Sequence, residues 1–164
     1  MNRAFWTILI VAMVLLDQLT KWLVESYLPF ENRMELLPFF SLYRTYNYGV
    51  AFSMFSDFGR WPLVILTLAI VGFVFWLWRS LEPGRILSAF GYALVIGGAL
   101  GNIIDRAVLG YVIDMLFFHI DHLNFRFAVF NLADTFITLG AMAIILDEIT
   151  LWLRSRKLEK DPEQ

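Results

Sequence analysis

The chain has 164 residues, a length typical of one domain; 59% of them are hydrophobic and only 17% are charged. A soluble domain carries about a quarter charged residues, and a chain this small has too little interior to hide so much apolar surface from water. The formal net charge of −2 offers no basic field for nucleic acid, and the lack of cysteine excludes disulfides, thiolate metal sites and a cysteine nucleophile. The composition therefore indicates a polytopic membrane protein.

Four runs are long and apolar enough to cross a bilayer as helices, which takes about 20 residues each. They cover about residues 4–24, 62–78, 86–104 and 130–153. We expect a membrane all-α fold with four transmembrane helices in one domain, residues 1–164. No small-x-small cleavage site follows the first run, so we expect it to be retained rather than removed as a signal peptide.

Basic residues predict how the four helices are oriented. With four spans, both termini and the short loop between the second and third spans lie on one side. That side holds Arg3, Arg79, Arg85, Arg154, Arg156, Lys157 and Lys160 in short segments. Lys and Arg are enriched in short cytoplasmic segments, so we expect this side to be cytoplasmic and the long loops, about 25–61 and 105–129, to face outward.

The outer loops do not have the composition of disordered segments. Residues 39–46 are rich in aromatic and β-branched side chains and predict short strands, a small β-like cradle outside the cytoplasm. Met54, Phe55 and Phe58 fit a short helix lying on the membrane surface. Two interpretations remain open: the loops receive an apolar partner, or they only cover the helix ends.

Ionisable residues inside the spans are costly and mark candidate sites. Asp17 and Lys21 are four residues apart on one face of the first span, which favours a neutralised structural pair over a catalytic role. In the third span, Gly97 and Gly101 form a small-xxx-small surface for close helix packing. That span ends in Asn102, Asp105 and Arg106, where further polar partners are expected.

Two more carboxylates follow, Asp114 just beyond the third span and Asp134 one turn into the fourth. Because the third span runs outward and the fourth runs inward, both acids are expected at the same membrane face, where they can meet. Two apposed carboxylates share one proton near neutral pH and can activate water against a peptide bond. The alternatives are that Asp114 is a solvated loop acid and that Asp134 completes a capping box with Asn131.

Other polar residues of the outer loops carry weaker signals. His119 and His122 lie three apart without a third ligand at a characteristic spacing, so we predict no metal site. Asn47 offers both donors and an acceptor, and Gly49 suits an unusual backbone conformation or the close approach of a ligand, although either fits a simple turn.

The chain resembles the lipoprotein signal peptidases (signal peptidase II), intramembrane aspartic peptidases of bacteria. The resemblance covers nearly the whole chain, in five motifs that stand in the family's order. They are LDQLTK at 16–21, NYGVAFS at 47–53, GGALGNIIDR at 97–106, VID at 112–114 and FNLAD at 130–134. One position departs from the family's pattern: the family commonly has a small residue where Tyr48 stands.

The resemblance implies a site, carried over position by position. The catalytic aspartates match Asp114 and Asp134. The residues matching motif positions that support the dyad or bind substrate are Asn47, Gly49, Ala51, Gly98, Asn102, Asp105, Arg106, Asn131 and Ala133, beside the structural pair Asp17 and Lys21. We assign substrate contact to Asn47 and Arg106, with a scaffold role beside Asp105 as the alternative for Arg106.

The resemblance also implies an activity without a cofactor. The substrate is expected to be a bacterial prolipoprotein with diacylglycerol on its cysteine, cut just before that cysteine in the cytoplasmic (inner) membrane. Globomycin-type cyclic peptides are expected to block the dyad, and no nucleic acid is expected as partner. Two rival functions are a small proton-coupled transporter, which predicts ionisable residues near mid-bilayer, and an assembly subunit that docks through the glycines of the third span.

Overall fold

The computed structural model describes residues 3–49 and 59–160. Its elements in chain order are α1 (Arg3–Tyr27), β1 (Arg33–Leu37), β2 (Phe40–Asn47), α2 (Arg60–Arg79), α3 (Ile86–Val108), β3 (Val112–Ile120), β4 (Phe125–Arg126) and α4 (Leu132–Lys160). A short 3-10 helix, Asp121–Leu123, joins β3 to β4. All four α-helices are long and apolar enough to cross a membrane, which confirms the predicted four-helix membrane fold.

Helix α3 is the central helix and packs against α1, α2 and α4. Its small residues allow this close packing. An added Cβ at Gly97 would lie 2.8 Å from Met13 Cε of α1, and one at Gly91 would lie 2.6 Å from the Gly140 carbonyl oxygen of α4. The glycines of α3 therefore serve two neighbours, α1 on one side and α4 on the other.

The strands form one antiparallel sheet in the order β1-β2-β3-β4, so the predicted strand at 39–46 is confirmed. β2 pairs with β3 in a register that sets Thr45 opposite Asp114 and Asn47 opposite Val112. Val24 of α1 and Leu28, just beyond its end, pack against Ile113 and Met115 of β3. The sheet therefore rests on one end of the helix bundle, called the sheet end below, where α1 and α3 finish and α2 and α4 begin.

Two boundaries differ from the sequence prediction. Helix α3 continues to Val108, so Asp105 and Arg106 lie in the helix and not in a loop at 105–129; the Leu109 N–H donates to the Asp105 carbonyl at 2.7 Å. Helix α4 begins at Leu132 rather than 130, because Phe130 forms an antiparallel bridge with Leu116. The predicted surface helix at Met54, Phe55 and Phe58, and with it Ala51, lies outside the described residues.

Candidate active site

A buried charge cluster lies at the sheet end between α1 and α3. The Lys21 ammonium is 2.8 Å from Asp17 Oδ2 and 2.8 Å from Asp105 Oδ2, and it donates to Asn102 Oδ1 at 2.9 Å. These contacts use all three donors of the ammonium. Lys21 is only 2% exposed, so its side chain does not reach the aqueous interface but links two helices.

Gln18 belongs to the same cluster, although the sequence analysis gave it no role. Its amide nitrogen donates to Asp105 Oδ1 at 2.8 Å and to the Gly101 carbonyl at 3.2 Å. Asp17 Oδ1 in turn accepts a hydrogen bond from the Ala133 N–H at 2.9 Å. The cluster thereby reaches from α1 through α3 to the first turn of α4. A polar Gln inside an apolar run was the signal that could have identified it.

Asn102 connects this charge cluster to Asp134. Its Oδ1 accepts from Lys21 at 2.9 Å and from Asn131 Nδ2 at 3.1 Å. Because that oxygen faces two donors, the Asn102 amide group must point its NH₂ the other way, and Nδ2 donates to Asp134 Oδ1 at 2.8 Å. Lys21 therefore fixes the orientation of the amide that holds Asp134.

Asn131 holds both candidate aspartates. The Asp134 N–H donates to Asn131 Oδ1 at 2.9 Å, and the Asn131 N–H donates to Asp134 Oδ2 at 3.2 Å, a reciprocal capping arrangement at the start of α4. The Asn131 side chain also donates to Asp114 Oδ1 at 2.7 Å. The capping role expected as an alternative thus coexists with a place beside Asp114.

Asp114 is buried on β3, 3% exposed. Its second oxygen, Oδ2, accepts from Asn47 Nδ2 at 3.1 Å, so its hydrogen-bond donors, Asn47 and Asn131, are neutral amides. Burial, together with the negative charge of Asp134, raises the pKa of Asp114 to about 7, against the opposing effect of those hydrogen bonds. Asp114 is therefore not a loop acid exposed to water, which was the alternative that the sequence left open.

Arg106 and Gly49 lie on the other side of Asn47. Arg106 Nη2 donates to the Gly49 carbonyl at 2.6 Å, and the Gly49 N–H donates to Asn47 Oδ1 at 3.0 Å. Within the part of the chain that the structure describes, Arg106 Nε is buried without a hydrogen-bond partner, and Arg106 forms no ion pair with Asp105. Arg106 therefore holds the loop after β2 and keeps one donor uncommitted.

Close packing brings the aspartate-bearing elements together. An added Cβ at Gly98 would collide with the Ala133 carbonyl oxygen and lie 2.9 Å from Ile137 Cγ1, and one at Gly101 would lie 2.5 Å from Asp17 Oδ2. Ala133 itself is fully buried. Small residues at these three positions let the first turn of α4 lie directly on α3.

The two aspartates line one cavity of about 480 Å³. Its polar wall includes Asn47, Asn102, Arg106, Asp114 and Asp134, and its apolar wall includes Val112, Phe127, Ala128, Val129, Phe130, Ile137 and Leu139. The site therefore combines an acid pair with room for an apolar ligand at the sheet end. Sequence reasoning did not assign the apolar wall: Val112 and Phe130 belong to quoted motifs but carried no predicted role, and the other wall residues lie outside the motifs.

His119 and His122 lie outside this cavity. His119 is buried on β3, where Nε2 is 2.7 Å from Ser41 Oγ and Arg33 Nη2 lies 2.9 Å from Nδ1. His122 is in the 3-10 helix that follows. Among the described residues, no three His, Cys, Asp or Glu side chains come close enough to hold a metal ion.

A family model described as signal peptidase (SPase) II matches residues 9–150. The lipoprotein signal peptidase of Sinorhizobium fredii is 52% identical over 151 residues, covering 92% of this chain and 89% of that protein. That of Bartonella quintana is 46% identical over 163 residues, covering 98% of this chain and 97% of that protein.

Two solved structures are similar over the whole fold. Both are described as bacterial membrane enzymes determined by the in meso method. One has a TM-score of 0.72 at 25% identity and covers 99% of this chain and 92% of that chain. The other has a TM-score of 0.74 at 26% identity and covers 88% and 92%.

Proposed function

Because this chain belongs to the signal peptidase II family, enzymes that remove signal peptides from prolipoproteins, we propose that Asp114 and Asp134 are its catalytic pair. The observation that carries the proposal is that carboxylates from two separate elements line one cavity. Both accept hydrogen bonds from Asn131, so one residue sets their relative position.

The pair holds one proton between its two carboxyl groups near neutral pH. The pKa of Asp114, raised to about 7 by burial and by the charge of Asp134, assigns that proton to Asp114. Asp134 is the ionised partner, stabilised by donors from Asn102 and from the Asn131 main chain.

Hydrolysis then proceeds by general acid–base chemistry without a covalent intermediate. A water molecule loses a proton to Asp134 as its oxygen attacks the scissile carbonyl carbon, while Asp114 gives its proton to the carbonyl oxygen. In the second step Asp134 returns the proton to the amide nitrogen and the C–N bond breaks. Asp114 recovers its proton from a hydroxyl of the intermediate, which leaves a carboxylic acid and an amine.

The substrate is a prolipoprotein whose cysteine carries diacylglycerol, cleaved just before that cysteine. The apolar wall of the cavity, with Ile137 and Leu139 on α4, suits a ligand that stays partly in the bilayer. Asn47 and Arg106, which both line the cavity, bind main-chain groups of the substrate. Globomycin-type cyclic peptides would compete for the same cavity.

The chain acts as a single domain of the bacterial inner membrane. Both termini lie in the cytoplasm, in agreement with the dense basic residues near Arg79, Arg85 and Arg154, and the sheet end faces outward. The reaction needs no cofactor or metal, and nucleic acid is not a partner.

The test is cleavage of a diacylglyceryl-modified precursor by the reconstituted protein, followed as a size shift on a gel. Asp114→Asn and Asp134→Asn should each lower the rate by roughly 10³-fold, as expected for loss of a general acid or base. Asp121→Asn, a matched change at an exposed acid, should cleave normally, and precursor without diacylglycerol should stay intact.

Either Asn variant cleaving at the full rate would show that the dyad is misassigned. A wild-type protein that does not cleave, together with two Asn variants that fold and insert normally, favours the assembly-subunit rival. Proton flux that depends on these aspartates, without cleavage, favours the transporter rival.

A further inference from the structure

One wall of the active-site cavity is the irregular segment 127–130, which joins β4 to α4. It is attached to β3 at both ends. The Phe127 N–H donates to the Phe118 carbonyl at 2.9 Å, and the Phe130 N–H donates to the Leu116 carbonyl at 3.0 Å. The segment therefore has a fixed position in the wall of the cavity.

Between these two attachments lie Ala128 and Val129. Across residues 3–49 and 59–160, no hydrogen bond engages the main-chain N–H or carbonyl of either residue. Both residues are only half-buried, and both line the cavity. Main-chain groups in folded proteins are nearly always paired, so two adjacent unpaired residues in the wall of a site indicate groups reserved for water or a ligand.

We propose that the main chain of Ala128 and Val129 binds an extended segment of the substrate by strand addition. A peptide bond is open to attack only once its segment leaves the helical conformation. The N–H and C=O groups exposed by that unwinding need partners near a bilayer. An added strand supplies them through main-chain hydrogen bonds and does not depend on the side chains of the peptide. The inference rests on the proposed peptidase function.

The position of the segment relative to the aspartates supports this role. Val129 is two residues before Asn131, whose side chain donates to Asp114 at 2.7 Å, and an extended residue spans about 3.5 Å. A peptide bonded to Val129 would therefore pass within a few residues' length of the dyad. The side chain of Phe127, 48% exposed, borders the same wall.

The experiment replaces Val129 by its α-hydroxy acid, which turns one amide into an ester. The change removes the Val129 N–H and weakens the Ala128 carbonyl as an acceptor, while every side chain is kept. We expect KM for the lipid-modified precursor to rise about five- to tenfold with kcat within about twofold, the pattern for a contact made equally in ground and transition states.

The substrate side of the contact is tested with precursors N-methylated at one amide at a time over the four residues before the cysteine. Methylation of the amide that donates to the Ala128 carbonyl should raise KM in the wild-type enzyme and cause a smaller rise in the ester enzyme, because the ester already weakens that acceptor. The same ester at Leu36, an exposed residue that the pairing of β1 with β2 skips, should leave KM within about twofold.

An unchanged KM in the Val129 ester enzyme would overturn the proposal. So would methylation effects that add to the effect of the ester at every position, or a lowered melting temperature with normal KM, which would indicate a structural role. Failure of the proposed function looks different: the wild-type enzyme would not cleave, or cleavage would not depend on Asp114.

Discussion

Two polar clusters join α3 to α4, one at each end of the bundle, and they balance charge in different ways. At the end opposite the sheet, the Arg85 guanidinium donates to Asp147 Oδ2 at 2.9 Å and to Glu148 Oε1 at 2.7 Å, and Ser88 Oγ donates to Asp147 at 2.5 Å. At the sheet end, Asp114 and Asp134 are held by amides.

The difference separates a structural cluster from the proposed catalytic pair. A guanidinium beside two carboxylates balances their charge, so the Arg85 cluster is a stable tie between helices. Among the residues that the structure describes, no lysine or arginine forms an ion pair with Asp114 or Asp134, and the donors of Lys21 are used by Asp17, Asp105 and Asn102. Acids held by neutral donors in a desolvated cavity can share a proton, which hydrolysis requires.

The largest contrast is expected between loss of Arg85 and loss of Lys21, the cation of the buried cluster that Asn102 connects to Asp134. Lys21→Met leaves Asp17 and Asp105 buried without a countercharge, which should cost roughly 3–5 kcal/mol of stability and abolish cleavage, because Asn102 loses the donor that orients it. Arg85→Met should cost about 1 kcal/mol, since its cluster is partly exposed, and should leave the cleavage rate per folded molecule near wild type. Melting temperature in detergent and precursor cleavage measure both effects.

Equal losses of stability in the two variants would contradict the distinction between a buried and a partly exposed cluster. Normal cleavage by Lys21→Met would show that the orientation of Asn102 does not matter for Asp134.

Glycine substitutions test the same comparison through packing. Gly91→Ala and Gly98→Ala both force α3 away from the backbone of α4, at Gly140 and Ala133 respectively, and each should cost roughly 1–3 kcal/mol. Gly98→Ala moves the helix start that carries Asp134, so its cleavage rate per folded molecule should fall about tenfold. Gly91→Ala should retain the wild-type rate. Thermal melting and single-turnover cleavage distinguish the two outcomes.

Gly72→Ala is the matched control, because an added Cβ there has no neighbour within 4 Å. It should be neutral or slightly stabilising, since alanine favours the helix. If Gly91→Ala lowers the cleavage rate as much as Gly98→Ala, the two ends of the α3–α4 contact are not independent.

The fold followed from hydropathy because each span carries its own signal. The two helix ends that differ from the approximate predicted spans depend on tertiary partners. By composition, the carboxylate at 105 and the guanidinium at 106 indicate a loop. In the structure, Asp105 lies in α3 because it pairs with Lys21 of α1. Phe130 fits a helix by composition, and only its bridge to Leu116 keeps it out of α4.

The sequence predicted which residues belong to the candidate site better than it predicted the hydrogen bonds between them. Chain direction alone was enough to bring Asp114 and Asp134 to one end. The double role of Asn131, the amide orientation of Asn102 and the contacts of Gln18 depend on which atoms meet across α1, α3 and α4. The unpaired main chain at 128–129 has no side-chain signal, so sequence patterns could not indicate it.

The central claim, a dyad that works with one proton held by Asp114, is tested most directly by the pH dependence of kcat/KM for the lipid-modified precursor. The pKa of Asp114 is raised from 3.8 to about 7, so the proton is present below that pH and lost above it. We expect kcat/KM to fall about tenfold per pH unit above neutrality. A constant kcat/KM from about pH 6 to 9 would contradict the account, because the reaction would then not need the proton.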